Sequence, residues 1–389
     1  MTLDPASSTT AAAAEIFAQA ARELVAAGNF HRLFDLRLVE RQHALGLPIG
    51  RRTGFDEVDE SLRAQLEASY LDACREVGAL LAEAGRVREA WLYLRPTGEK
   101  RLLRDRLART TPDEDAVDEL IEVALFEGVD PERGFAWLAG RQGTCSAITT
   151  LDGMQGQLGP AELRACVAVL VRHVYGELRG NLRGHLQRLT GQAPPDLSDG
   201  ELVEQFTQLT AAGDYHLDAS HLASAVRHAR VAADPEIVRK ALEMAAYGSR
   251  LPADLQYPGD PPFEETYRAH GLFLAATLGE QVDAAREYFA EQARRLSTTP
   301  GDLAPVEAYV MLLDRIGDAG AALEAYAELV PTDAVLSPLA PTLVELAARS
   351  GAWEQFEAIC RTRSDVVALA AGRIIRQCSH APTRGGILD

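Results

Sequence analysis

Cysteine and lysine are both scarce in this chain of 389 residues. The five cysteines are scattered and include no Cys-x-x-Cys pair, so the sequence predicts neither a disulfide framework nor a zinc knuckle. Lysine occurs only at Lys100 and Lys240, and arginine therefore supplies nearly all of the positive charge. Acidic residues outnumber basic ones by 57 to 39, which gives a formal net charge of −18. Because no basic run offsets that charge, we expect no binding to nucleic acid.

Long apolar runs are also lacking, since no stretch approaches the roughly 20 apolar residues that a membrane span requires. Residues 1–10 carry neither a basic segment nor an apolar core, so they do not predict a signal peptide. The motifs of phosphate-binding loops, dinucleotide-binding turns, nucleophile elbows and protein kinases are absent as well. These absences predict a cytoplasmic protein that binds no membrane, and they disfavour nucleotide-dependent and redox enzymes of the common folds.

Helix-forming residues make up much of what is present. Hydrophobic residues account for 47% of the chain, which is enough for a large core, and Ala, Leu, Glu and Arg are abundant. Apolar residues at three- and four-residue spacing predict long helices over residues 61–84 and 160–189, with shorter ones at 12–27 and 30–44. The sequence therefore predicts an all-α protein.

One pattern recurs in the carboxy-terminal third, where a helix stops at a glycine and a second helix starts two or three residues later. Gly279, Gly317 and Gly351 mark these stops, and the last two are 34 residues apart. A glycine takes the left-handed conformation at a helix end at little cost. Such a period in a helix–turn–helix pattern is typical of tetratricopeptide repeats.

Two segments, LLAEAGRVREAWLYLRP at residues 80–96 and LLDRIGDAGAALEAYAELVP at 312–331, resemble the junction between the two helices of a tetratricopeptide repeat. The resemblance extends over residues 12–110 and 264–376. It implies a TPR-like α-α superhelix, or helical-hairpin solenoid, with a concave groove for a peptide or protein. From the amino terminus we expect a disordered start, hairpin repeats, an irregular helical centre with a Pro-rich loop, TPR-like repeats and a disordered tail, at residues 1–11, 12–158, 159–262, 263–378 and 379–389.

Three glycines recur every four residues in the long helix predicted at 160–189: Gly176, Gly180 and Gly184. Each costs a helix interior about 1 kcal/mol relative to alanine, so the stripe needs a reason. It either lets another helix pack closely or leaves room for a ligand. In the second case His173 and Glu177, which lie four residues apart beside the stripe, could hold one metal ion. In the first case the two form a hydrogen bond within a helix crossing. His185 is predicted to point away from the stripe.

A second cluster brings three of the nine histidines into a short stretch: His216, His221 and His228. Asp218 could cap the helix predicted over residues 217–233, or hold the imidazole of His221. His216 could fold from the preceding turn toward His221, with Tyr215 beside it. Such a set suits a divalent metal ion or an acid–base pair. The alternative is a polar helix start with a histidine packed between hairpins.

The loop at residues 248–262 carries four prolines and leads toward a further histidine, His270. Tyr257 and Asp260 add an aromatic and an acidic group, and loops held by a rigid scaffold often carry function. The alternative is a proline-stiffened connector. Cys145, in the small-residue segment GTCSAITT, is either a nucleophile or a buried thiol at a helix start.

The architecture favours a helical-repeat scaffold that binds a peptide or protein partner in its groove and needs no cofactor. The rival is a metal-dependent or acid–base enzyme, hydrolase-like, with a divalent metal such as zinc and a site within residues 173–270. The predicted metal ligands are His173, Glu177, His216, Asp218 and His221. The predicted ligand or groove contacts are Tyr215, His228, Tyr257, Asp260 and His270. The sequence leaves the oligomeric state open.

Overall fold

The computed structural model describes residues 5–49, 59–192, 201, 215–296 and 303–379. Within these ranges the chain is mainly helical, and the only β-structure there is an isolated antiparallel bridge between Pro258 and Glu265. The predicted all-α class is confirmed. None of the helices in these ranges is both long enough and apolar enough to cross a bilayer. The tail predicted at 379–389 lies, except for its first residue, outside the described part.

Seventeen α-helices occupy the described ranges and are numbered here in chain order. The first seven are α1 (Pro5–Ala26), α2 (Phe30–Ala44), α3 (Glu60–Glu83), α4 (Val87–Leu94), α5 (Arg101–Leu107), α6 (Val117–Ile121) and α7 (Pro131–Met154). The next four are α8 (Pro160–Thr190), α9 (Ala219–His228), α10 (Pro235–Gly248) and α11 (Thr266–Thr277). The last six are α12 (Val282–Leu296), α13 (Ala304–Arg315), α14 (Ala319–Leu329), α15 (Leu343–Ser350), α16 (Trp353–Thr362) and α17 (Val366–Ser379).

The chain divides into two compact units, Met1–Arg141 and Gln142–Asp389. In the first unit, consecutive helices pack as neighbours from α1 through α4. Their apolar stripes meet in a core in which Leu33, Val77 and Leu81 are fully buried. The helix α3 matches its predicted span closely because Asp59 caps its start, accepting a hydrogen bond from the Leu62 backbone N–H at 3.0 Å.

In the second unit, the long helix α8 packs against α9 and α10, and from α9 through α15 each helix packs against the next. The phenylalanines Phe273, Phe289 and Phe356 are buried in its main core. Gly351 closes α15 in the left-handed conformation, with φ of 73°, as the glycine-stop pattern predicted. The backbone of α7 leaves helical geometry at Gly143, where φ is 80° and ψ is 175°.

Two helices, α1 and α9, begin at residues other than those predicted, and the difference at α9 affects the candidate site. α1 begins at Pro5, whereas the sequence indicated a helix only from residue 12. α9 is shorter than the predicted 217–233: it starts two residues later, because the Asp218 carboxylate accepts hydrogen bonds from the backbone N–H groups of Ser220 and His221 at 2.8 and 3.3 Å, and it ends at His228. This cap fixes where the chain enters α9, and therefore which side chains face each side of that helix.

Candidate functional site

A cleft lies in the second unit beside the glycine stripe of α8, and we call it the glycine cleft. Its volume is about 840 Å³. It is lined by Gly176, Glu177, Gly180, Asn181, Gly184, His185, Arg188, Tyr215, His216, Leu217, Asp218 and His221. Two clusters that the sequence suggested separately, the glycine stripe and the segment before α9, therefore share one cleft.

The glycine stripe faces open space within the described part of the chain. Apart from the adjoining backbone of α8 itself, a Cβ atom built on Gly176 or Gly180 would meet no atom of the described residues within 4 Å. One built on Gly184 would meet only the Arg188 Nη1 atom, at 3.6 Å, which is an ordinary contact. No described helix packs closely on the stripe.

Glu177 and His173 form a small network with the buried hydroxyl of Thr144. Thr144 Oγ1 donates to Glu177 Oε2 at 2.9 Å. His173 Nε2 lies 3.0 Å from the same Oγ1 and 3.6 Å from Glu177 Oε1. Because the hydroxyl has one hydrogen and gives it to the carboxylate, the imidazole Nε2 must be the donor to Thr144. Glu177 lines the glycine cleft, whereas His173 is not among its lining residues.

His216 is held by hydrogen bonds on both ring nitrogens. Its Nδ1 lies 2.9 Å from the Tyr247 hydroxyl, and its Nε2 lies 2.8 Å from Nδ1 of His185. The side chain of Asn181 donates to the His216 carbonyl at 2.7 Å. His185 was predicted to point away from the glycine stripe, and that prediction is wrong: His185 lines the glycine cleft and contacts His216. Its spacing of four and eight residues from Asn181 and Glu177, on one helix face, was the signal that could have found it.

The remaining predicted residues of this group have distinct positions. Asp218 caps α9, and the pKa of its carboxyl is lowered, first by the hydrogen bond from the Ser220 hydroxyl. His221 lines the glycine cleft, and Tyr215 lies at its edge with 59% of its surface exposed. In the described ranges, no three His, Cys, Asp or Glu side chains stand close enough together to hold a metal ion.

His228 belongs to the core of the second unit. Its Nε2 lies 3.1 Å from Asp152 Oδ1, and its Nδ1 lies 3.1 Å from the Gln155 side-chain nitrogen. Burial lowers the pKa of His228, while the hydrogen bond from His228 is the first cause that lowers the pKa of Asp152 to about 2. A neutral imidazole with its proton on Nε2 fits both contacts, because it donates to the carboxylate and accepts from the amide. His228 lines neither cavity described here.

Replacing His228 with leucine should destabilise the protein by about 1–3 kcal/mol, because Gln155 and Asp152 would each lose a hydrogen-bond partner in a half-buried setting. Urea unfolding at pH 7 measures this change. The matched control is His221→Leu, at a partly exposed side chain of the same helix, and it should shift the free energy of unfolding by no more than about 0.5 kcal/mol. Equal effects of the two substitutions would contradict the structural role of His228.

A second cavity, which we call the loop pocket, lies where the Pro-rich loop meets α9 and α11. Its volume is about 430 Å³. It is lined by Ser220, Ala223, Ser224, Arg227, Arg230, Tyr257, Pro258, Gly259, Asp260, Pro261, Phe263, Thr266, His270 and Ala304. Three predicted contact residues, Tyr257, Asp260 and His270, thus meet in one place. Arg230 also lines the pocket, and no sequence pattern had singled it out.

Specific contacts fix the conformation of the Pro-rich loop. The Gly259 backbone N–H donates to the Glu264 carbonyl at 3.1 Å, and the Thr266 hydroxyl donates to the Tyr257 carbonyl at 2.6 Å. A Cβ atom on Gly259 would lie 2.2 Å from the Phe263 carbonyl oxygen, so only glycine fits this turn. These contacts hold the Tyr257 end of the loop against the start of α11.

Comparison with known proteins supplies no relative on which to base a function. No protein-family model, no curated protein and no solved structure matches this chain.

The candidate nucleophile Cys145 is exposed in α7, two residues after the bend at Gly143. The predicted site residues that the structure brings together lie at the two cavities of the second unit.

Proposed function

We propose that this protein is a TPR-like helical-repeat scaffold that binds a peptide segment of a protein partner in the glycine cleft. The observation that carries the proposal is the open stripe of Gly176, Gly180 and Gly184. Three helix-interior glycines cost about 3 kcal/mol in total relative to alanine, and packing inside the described chain gives no reason for that cost. Close approach of a partner's backbone to the bare helix supplies one.

The serial packing of helices supports the repeat character of the proposed scaffold. Consecutive helices of the second unit contact one another in chain order, as stacked hairpins do. Gly317 and Gly351, 34 residues apart, both adopt left-handed conformations at helix ends, with φ of 85° and 73°. A common turn geometry at a repeat-length interval is what a solenoid of helical hairpins requires.

The charges at the cleft favour a basic peptide. Glu177 and Asp218 contribute two carboxylates to the lining, against the single guanidinium of Arg188. The lowered pKa of Asp218 keeps that carboxyl ionised at neutral pH. The formal net charge of −18 adds long-range attraction for a positively charged partner. Binding should therefore weaken as the salt concentration rises.

The test of this proposal is a leucine at Gly180. Peptides selected on the full-length protein from a random displayed library are labelled and titrated by fluorescence polarisation. Gly180→Leu should weaken their binding by at least about tenfold, because the side chain fills the space that the backbone of the peptide needs. The same change should raise the melting temperature by about 2–4 °C, since leucine is the better helix former.

Gly140→Leu is the matched control. Gly140 is an exposed glycine of α7 whose Cβ would also meet nothing within 4 Å, but it lies outside the cleft. The Gly140→Leu variant should gain stability without losing affinity for the selected peptides. Failure of the wild type to select any peptide, or equal affinity for wild type and Gly180→Leu, would show the proposal to be wrong.

A second candidate function, acid–base or metal-dependent catalysis, is favoured by one specific observation. His185, His216 and Tyr247 form a hydrogen-bonded chain at the cleft, with distances of 2.8 and 2.9 Å. Linked imidazole and phenol groups can pass a proton along such a chain. Elemental analysis of untagged protein, with His216→Asn for comparison, tests the metal-dependent form. Stoichiometric zinc that this substitution removes would favour the enzyme over the scaffold.

A further inference from the structure

The loop pocket shares no lining residue with the glycine cleft and contains two buried polar groups that the proposed function does not use. Arg230 extends into it from the turn after α9, and His270 from the first part of α11. Both side chains contact the ring of Phe263: the Arg230 guanidinium carbon lies 4.7 Å and the His270 ring centre 4.0 Å from the ring centre of Phe263.

Arg230 is a largely buried cation, and no carboxylate of the described residues forms an ion pair with it. Its Nε donates to the Arg227 carbonyl at 3.2 Å, and in the described part of the chain the guanidinium forms no ion pair. Burial lowers the pKa of Arg230 to about 10, so the group is still charged at neutral pH. The nearest acidic influence is Glu307, whose carboxylate already accepts two hydrogen bonds from Ser337. A largely buried charge without an ion-pair partner destabilises the folded protein unless a ligand neutralises it.

The positive charge of the neighbouring Arg227 is already balanced. Its Nη2 atom lies 3.0 and 3.2 Å from the two carboxylate oxygens of Asp152. Arg230 is therefore the cation of the loop pocket that is left for an incoming anion.

His270 offers the pocket a hydrogen-bond acceptor. Its Nδ1 lies 2.7 Å from the Thr266 carbonyl oxygen, and since a carbonyl can only accept, the proton is on Nδ1. Nε2 then carries a lone pair, and none of the described residues forms a hydrogen bond with this buried atom. Only 2% of His270 is exposed, and a buried acceptor without a donor is unfavourable by about 1–3 kcal/mol.

We propose that the loop pocket binds a small organic acid that carries an amino or hydroxyl group beside its carboxylate. The carboxylate pairs with the guanidinium of Arg230, and the neighbouring N–H or O–H donates to Nε2 of His270. One ligand with an acceptor and a donor on adjacent atoms would thus give the Arg230 guanidinium an anionic partner and His270 Nε2 a donor, neither of which the described residues supply.

The walls of the pocket fit such a molecule. Phe263 forms an apolar floor beneath both polar groups, and Tyr257 with Pro258 and Pro261 forms the side contributed by the loop. Asp260 is exposed at the rim, where its carboxylate favours an ammonium group on the ligand. A volume of about 430 Å³ is within the range of small-molecule sites.

The test is a titration of the full-length protein with amino acids, the matching hydroxy acids and their analogues that lack the amino or hydroxyl group. Inorganic phosphate is included as a bare oxyanion. Calorimetry and the melting temperature should both report binding of at least one amino or hydroxy acid, since a ligand of the native state raises the melting temperature with its concentration. That compound should bind at least about tenfold more tightly than its analogue without the donor group.

Two variants separate the roles. Arg230→Met keeps roughly the length of the side chain but removes its charge. It should weaken the binding of every organic acid by at least about tenfold. His270→Phe keeps the aromatic stack on Phe263 and should abolish the preference for compounds with a donor while acids still bind. Arg268→Gln is the control, at an exposed arginine of α11 that pairs with Glu265. It should change neither the affinity for acids nor the preference for compounds with a donor group.

Four outcomes would overturn the proposal: binding of no organic acid by the wild type, phosphate binding as tightly as the best acid, unchanged affinity in Arg230→Met, or an unchanged donor preference in His270→Phe. Circular dichroism and the melting temperature of each variant confirm that it folds. If Arg230→Met does not fold, Arg230→Lys replaces it. Lysine keeps the charge but not the forked geometry, and it should weaken carboxylate binding by at least about threefold. None of these results depends on the glycine cleft.

Discussion

Gly248→Ala is expected to lower the free energy of unfolding of the second unit by about 2–3 kcal/mol. A Cβ atom at this position would lie 2.4 Å from two carbons of the Tyr267 ring and 2.6 Å from a third. The ring cannot move aside easily, because only 2% of Tyr267 is exposed. Alanine would therefore force α10 and α11 apart. Since the Tyr267 hydroxyl approaches the Ala219 carbonyl at 3.4 Å, the start of α9 should shift as well.

Gly271→Ala is the control for this prediction, because Gly271 lies in α11 at the same interface. Its Cβ would meet only Ala245 Cβ at 3.7 Å and Leu242 Cδ1 at 3.9 Å, which are ordinary contacts. Alanine there should be neutral or should stabilise the helix by up to about 1 kcal/mol. Urea unfolding of both variants decides the matter, and a Gly248→Ala protein as stable as Gly271→Ala would contradict the close packing described here.

Acid should destabilise the second unit through His270. Burial, followed by the positive charge of Arg230, lowers the pKa of this imidazole to about 3, whereas the unfolded chain titrates near the ordinary value of 6.5. The unfolded state therefore binds a proton first as the pH falls. The stabilising contribution is fully present above pH 6.5 and is lost progressively toward pH 3, at about 1.4 kcal/mol for each pH unit from this one group.

The measurement is the free energy of unfolding from pH 7 down to pH 4 for the wild type and for His270→Phe. The wild type should lose stability more steeply, and the difference between the two slopes should approach one proton. Gly271→Ala is the control, since it changes no titratable group, and its slope should match that of the wild type. Parallel curves for the wild type and His270→Phe would show that His270 is not buried in its neutral form.

Local sequence patterns predicted helices more successfully than helix ends. The spans of α3 and α8 follow directly from apolar residues at three- and four-residue spacing, because these helices bury one continuous stripe. The start of α9 was predicted two residues too early. The competing effect is the Asp218 cap, which satisfies backbone N–H groups and so sets the first turn, whatever the apolar pattern.

The candidate sites were predictable only in part, because their halves lie far apart in the sequence. The glycine stripe and the segment before α9 each stood out, but nothing local indicates that Asn181 bonds to the His216 carbonyl at 2.7 Å. Arg230 gave no signal at all, since an arginine in an arginine-rich chain is unremarkable until its burial is known. Tertiary packing decided both cases, since it brings α8 against α9 at the glycine cleft and α11 against α9 at the loop pocket.

The short helix α9 forms a wall of both cavities, with Asp218 and His221 on one side and Ser224 and Arg227 on the other. A molecule bound on either side restrains the same ten residues. If the bound position of α9 differs from its resting position, occupation of one cavity changes the affinity of the other. Thermodynamic linkage then requires reciprocity: whatever factor the acid applies to peptide affinity, the peptide applies to acid affinity.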